Sequence, residues 1–256
     1  MYSIATLHEF RRHLGLTETD TNADADLRQA LEKASHLIES LTQRRYCPVL
    51  ETRRVTIDAA NPREMILPDD LLDLNSIESD QGRIFNMDSV RRLPSRADLP
   101  ASALILDGVE VFSGELSVTG IWGWHDRWTQ AWRKSGESLG DLELDPDATW
   151  ITVDDVDGEN QDGISPRFQV GQLLRANSEF IRLVAVDREG NRLGALRGVN
   201  GTEAVSHAAG TPIETYRAAS AIRDLCLRYA ELLINSAGML DDETSPALRR
   251  LRRLTA

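Results

Sequence analysis

Two stretches far apart in the chain carry matching repeats. Leu27, Leu31, Ala34, Ile38 and Leu41 step by four, three, four and three residues. Ile222, Leu225, Tyr229, Leu232 and Ser236 step by three, four, three and four. Each spacing lays its residues along one stripe of an α-helix. An apolar stripe has to be buried against something, and the residues between the two stripes follow a different period. The simplest solution packs the two ends of the chain together and leaves the middle to form sheet.

Local signals place the ends of these helices. Thr6-Leu7-His8-Glu9 reads as a capping box and Gly15 as a stop, which predicts a short helix over about 6–14. Asp24 and Asp26 fall in the first turn of the longer helix, where carboxylates suit the helix dipole. It is expected to end near Arg45, before Pro48. The last helix is expected over 218–237, with Gly238 as its C-cap.

The middle reads as short strands punctuated by turn residues. ETRRVTI (51–57), EMILP (64–68), LLDLNSIES (71–79) and GRIF (82–85) are followed by ALILDGVEVFSGELSVTG (103–120), the clearest pair of apolar runs. Asp107-Gly108 and Ser113-Gly114 supply its turn signals. Residues 125–146 are polar and read as a connector pinned by Trp128 and Trp132. Five or six further short runs follow between 147 and 216, a density that suits a small barrel or sandwich. The expected fold class is therefore α+β. A bundle of N- and C-terminal helices carries an antiparallel sheet (1–124 plus 217–256), a connector (125–146) and an inserted small β-barrel or sandwich module (147–216).

Charge narrows the function classes. The 256 residues carry 29 Lys and Arg against 41 Asp and Glu, a net charge of -12. Such a chain repels nucleic acid rather than gripping its phosphates. No run approaches the about 18 apolar residues of a membrane span, and the first sixteen residues do not read as a secretory signal. Two cysteines, Cys47 and Cys226, cannot make a zinc cluster alone, and a reducing compartment is the default expectation. Without a secretion signal, the sequon Asn200-Gly201-Thr202 carries no weight.

Few segments suggest chemistry. LRGVNGTEAVSHAAGTPI (196–213) has glycines and the pair Ser206-His207, but no dinucleotide spacing and no P-loop lysine. Sequence neighbours rarely form a nucleophile–base pair, so the stretch reads as a β-connection with Ser206 and His207 exposed. DDVDGENQD (154–162) fails the EF-hand order, because counting back from Gly158 puts Val153 at the first ligand position. It reads as a solvated hairpin tip. His8, His13, His36, His125 and His207 form no metal-binding motif. No catalytic residue, metal ligand or cofactor site is expected. Trp122, Trp124, Trp128 and Trp132 fall within eleven residues and suit either a local core or a subunit interface. The tail alternates Leu248, Leu251 and Leu254 with Arg249, Arg250, Arg252 and Arg253 after an acidic break. It reads as a docking element that folds onto a partner.

Taken in order, several segments resemble the head–tail connector (adaptor) proteins of tailed bacteriophages. DADLRQALEKASHLIESLTQRRYCPVLETR resembles the family's opening helix with its Ala-Ser core, Arg-aromatic motif and following strand. MILPDDLLDLNSI is similar to its Leu-Pro strand, and LSVTGIWGWHDRW to its Val-x-Gly-x-x-Gly strand end. The stretch from Ser165 to Ile213 resembles a β-module of larger members, and the helix at 218–237 also fits. The long 125–146 connector and the 147–216 module depart from small members.

The resemblance implies a structural role without catalysis. Family members form a ring, typically of twelve copies, beneath the portal protein at one capsid vertex. The ring extends the DNA channel and presents a surface to tail or head-closure proteins. Double-stranded DNA would pass through without specific binding, no membrane is involved, and the protein would lie in the virion neck after assembly in the host cytoplasm. Portal binding is carried over to Leu248, Arg249, Arg250, Leu251, Arg252 and Arg253. The alternatives are a head-closure or tail-terminator protein and, more remotely, an enzyme.

Overall fold

A computed structural model describes residues 3–17, 21–140 and 143–235. They form a mixed α and β structure of three α-helices and two antiparallel sheets, one of five strands and one of six. The chain divides into two compact units, Arg44–Gln130 and Met1–Gln43 with Ala131–Ala256.

The first unit holds β1 (Val49–Thr56), β2 (Glu64–Ser79), β3 (Val90–Leu93), β4 (Ala101–Leu106) and β5 (Glu115–Trp122), in the order β1-β5-β2-β4-β3. Inward positions such as Leu71, Ile77, Leu104, Leu116, Val118 and Trp122 close its core. The two runs read at 64–68 and 71–79 are one 16-residue strand, with register shifts at three places. One shift, between Ile66 and Leu71, spans Pro68, whose missing N–H suits a break in the ladder. The runs at 101–106 and 115–122 are not partners, because β2 lies between them and pairs with both. GRIF makes only an isolated bridge, Glu78 to Ile84. Near the ends of the unit, the Trp124 N–H donates to the Arg45 carbonyl at 2.7 Å.

The second unit holds α1 (Leu7–His13), α2 (Asp24–Thr42), β6 (Trp132–Ser138), β7 (Trp150–Thr152), β8 (Leu173–Ala176), β9 (Glu179–Asp187), β10 (Arg192–Leu196), β11 (Pro212–Tyr216) and α3 (Ser220–Asn235). Thr6 Oγ1 accepts from the Glu9 N–H at 3.1 Å and Glu9 Oε2 from the Thr6 N–H at 2.9 Å, which makes the capping box. Helix α2 ends at Thr42, where Gln43 turns left-handed with φ 53°. It packs its apolar stripe on α3. At that contact the buried Ser35 Oγ donates to the Leu31 carbonyl, accepts from the Ile4 N–H at 3.0 Å and lies 3.4 Å from Cys226 Sγ.

The sheet order here is β6-β11-β8-β9-β10-β7. It is open: β6 and β7 form its two edges and do not pair, so of the expected barrel or sandwich a closed barrel is not formed among the described residues. Strand β6 comes from the expected connector, where Ala131, Ser135 and Leu139 are buried. Contacts make Arg44–Gln130 the segment that interrupts the other unit. The strands of 147–216 share a sheet with β6, and that ladder ties them to the preceding segment. No helix among the described residues is long and apolar enough to cross a membrane.

Candidate functional site

The glycine-rich stretch at 196–213 is organised by a residue outside it. Glu179 begins β9 with its side chain fully buried. Its Oε1 accepts from Arg197 Nε at 2.6 Å and from the Gly198 N–H at 3.0 Å. Its Oε2 accepts from Arg197 Nη2 at 2.8 Å, from the Val205 N–H at 3.2 Å and from His207 Nε2 at 2.8 Å. Asn177 Nδ2 faces His207 Nδ1 at 3.3 Å, which leaves Nδ1 as acceptor and the ring proton on Nε2. Burial alone would raise the Glu179 pKa. Hydrogen bonds from Arg197, His207 and the N–H groups of Val205 and Gly198 outweigh it and hold the carboxyl below the usual glutamate range.

The turn is shaped to bring these donors in. Gly198, Asn200 and Gly201 have φ of 60°, 53° and 82°. A Cβ on Gly198 would lie 2.6 Å from the Ala204 nitrogen. Thr202 Oγ1 accepts from the Phe180 N–H at 3.0 Å and donates to the Val199 carbonyl at 2.9 Å. His207 exchanges both backbone hydrogen bonds with Leu144. The loop thus resembles an anion cradle because it is one, and the anion is the chain's own carboxylate. Five donors on two oxygens leave that carboxylate no lone pair for a substrate. Ser206 is exposed while His207 is buried, so the two side chains do not form a dyad. The expectation that His207 is exposed is corrected: its ring fills the space between Glu179 and Asn177.

The acidic loop at 154–162 is held by Arg167. Its guanidinium pairs with Glu137 and, at 3.1 Å, with Asp155. Glu137 Oε2 accepts from the Asp154 and Asp155 N–H groups. Asp155 and Asn160 turn their side-chain oxygens onto N–H groups two residues ahead, the Asx-turn arrangement. No group of three His, Cys, Asp or Glu side chains among the described residues is placed to hold a metal ion.

No known family model and no curated protein matches this chain.

The four clustered tryptophans sort into both units. Trp122 is fully buried, donates from Nε1 to the Glu51 carbonyl at 2.8 Å and carries Arg53 over its ring. Trp124 is half-buried, edge-on to Tyr46 and beneath Arg44. Trp128 is buried in the same unit. Trp132 belongs to the other unit, where Phe180, Tyr216 and Arg175 surround it. The fifth tryptophan, Trp150, is the most exposed, at 44%, with Arg192 over its ring. Leu248, Arg249, Arg250, Leu251, Arg252 and Arg253 lie outside the described residues, as does Gly238.

Sequence reasoning missed Glu179 and Arg197. Both sit in ordinary strand-end contexts, and only the pairing of β9 with β10 makes one the partner of the other.

Proposed function

We propose that the chain is a structural subunit of the tailed-phage neck, a head–tail connector. In this reading about twelve copies form a ring, like other closed symmetric homo-oligomers. The ring binds the portal, joins head to tail and extends the DNA channel without catalysis or cofactor. The observation that carries the proposal is the order of the resembling segments along one chain: Ala-Ser helix, Arg-aromatic turn, Leu-Pro strand, Val-x-Gly-x-x-Gly strand and terminal helix. In the structure these features have physical uses. Ala30, Ala34 and Ser35 are buried small residues of α2, and Ser35 Oγ lies 3.4 Å from Cys226 Sγ of α3. The finer architecture proposed is a bundle of the N- and C-terminal helices with an antiparallel sheet and an inserted small β-module.

The net charge fits a conduit. A ring at -12 per copy would carry roughly -144 before screening, enough to repel DNA phosphates from its lumen. The same argument leaves double-stranded DNA as a passenger rather than a ligand. The tail-side partner is a tail or head-closure protein, and the protein resides in the virion neck. The half-buried Trp124 and Trp132 are the clustered tryptophans with surface to offer a neighbouring subunit.

The test is to mix the purified protein with purified portal and average single particles by electron microscopy. The reading expects an added ring of density on one end of the portal. A head-closure or tail-terminator protein would leave the portal bare and bind only a preformed neck. Bare portal at every ratio tried overturns the connector assignment.

A further inference from the structure

Four arginines line one small cavity of the helix-containing unit. Arg133 comes from β6, Arg182 from β9, Arg217 from the link after β11, and Arg223 from the second turn of α3. The cavity measures about 60 Å3. Opposing charge comes from Glu9, Asp162 and Asp224. Glu9 takes Arg223 Nε at 3.4 Å, while Asp162 stands 3.5 Å from Arg133 and 3.8 Å from Arg217. Asp224, on the solvent side, reaches Arg223 only at 4.0 Å. Glu9 also spends one oxygen on the Thr6 N–H.

Two donors stand out. Arg223 Nη1 and Arg133 Nε are buried and have no hydrogen-bond partner, although Arg133 Nε makes the 3.5 Å ion contact with Asp162 Oδ2. Buried polar groups are nearly always satisfied, and each exception calls for a cause such as an ion or a water. Burial depresses the Arg217 pKa first, and the charges of Arg223 and Arg133 depress it further against Glu9 and Asp162. Like charges thus crowd here.

The geometry points to a binding site for a small tetrahedral oxyanion of the phosphate class in the cavity lined by Arg133, Arg182, Arg217 and Arg223. A planar carboxylate is satisfied by one guanidinium fork. Guanidiniums from four separate elements suit an anion that accepts in several directions. The cavity also lies at the start of α3, whose first turn contains no acidic residue, so the helix dipole adds to the field. This site is independent of the connector reading, since it needs neither ring nor portal.

The probe is inorganic phosphate added to the full chain, with chloride matched for ionic strength. Isothermal titration and the thermal midpoint are read together. Saturable binding is expected, with a midpoint that rises with phosphate. Arg223→Gln should weaken phosphate affinity by roughly tenfold or more, which is about 1.4 kcal/mol. Arg188→Gln serves as control, because Arg188 is exposed and pairs with Asp157 elsewhere; it should bind as the parent does. Far-UV circular dichroism checks each variant's fold. Should Arg223→Gln fail to fold, Arg133→Gln decides the matter with the same readout. Absence of saturable binding overturns the site and leaves water as the occupant. Undiminished phosphate affinity in a folded Arg223→Gln or Arg133→Gln variant overturns it as well.

Discussion

A carboxylate with no exposed side-chain surface persists in a fold only when its oxygens are fully engaged. Glu179 meets that condition with five donors. Removing one partner leaves a buried charge short of a hydrogen bond, so His207→Ala should destabilise by about 1 to 3 kcal/mol in urea unfolding. Ser206→Ala, at an exposed neighbour, should stay within about 0.5 kcal/mol. Equal effects at the two positions would sink the network's structural role. The depressed pKa of Glu179 gives a second expectation. In acid the unfolded chain binds a proton here before the folded chain does. The stabilisation is complete above the ordinary glutamate value of 4.5 and is lost as pH falls through the lower folded value. Glu179→Gln should flatten that acid limb of the stability profile while lowering stability at neutral pH, as Arg197 loses its counter-charge. An acid limb of unchanged slope in the variant would contradict the assignment.

At the scale of elements, the bulges in β2 explain a glycine. Gly120 sits on β5 where β2 shifts register, and a Cβ there would meet the Asp73 carbonyl oxygen at 2.3 Å. Gly-to-Ala in a strand ordinarily stabilises by roughly 0.5–1 kcal/mol. Here the sign should reverse, with Gly120→Ala costing about 1 kcal/mol or more, read by chemical denaturation. A neutral or stabilising result would mean that β2 gives way freely. The α2–α3 contact makes a further prediction. Burial pushes the Cys226 thiol up to about 11, so little thiolate forms at mildly alkaline pH. Alkylation of Cys226, followed by mass spectrometry, should be slow in the native protein and fast in denaturant. Rapid native labelling would show that the two helices separate readily. Sequence periodicity reveals the two long helices because each stripe is a local property of its own segment, but it misplaces the buried side of α3, which is Ile222, Cys226, Leu227 and Ala230, while Leu232 of the expected stripe is 48% exposed. It also reveals most strands between 150 and 216. It misses β6, which alternates around Ser135 and a glycine rather than around large apolar residues. It misjudges β4 and β5 as partners, because nothing local says that β2 intervenes. The Glu179 cluster is hidden for the same reason: its members become neighbours only through strand pairing.

At the scale of the whole molecule, each unit closes its own core among the described residues. The basic tail carries four arginines and three leucines at 248–254. A segment that short does not hold a helix alone in water. It can gain one by laying its leucines into a groove of a partner, with the arginines meeting acidic residues at the rim. Under the connector proposal that partner is the portal, and the contact residues are Leu248, Arg249, Arg250, Leu251, Arg252 and Arg253. Deleting residues 245–256 should leave the thermal midpoint nearly unchanged and abolish capture by immobilised portal. Reversing Arg249 and Arg252 to Glu should weaken capture. Salt should weaken binding of the parent more steeply than that of the reversed variant, because the attraction that salt screens has been removed. Undiminished capture of the truncated protein would sink the docking role and move the portal contact to another surface of the chain.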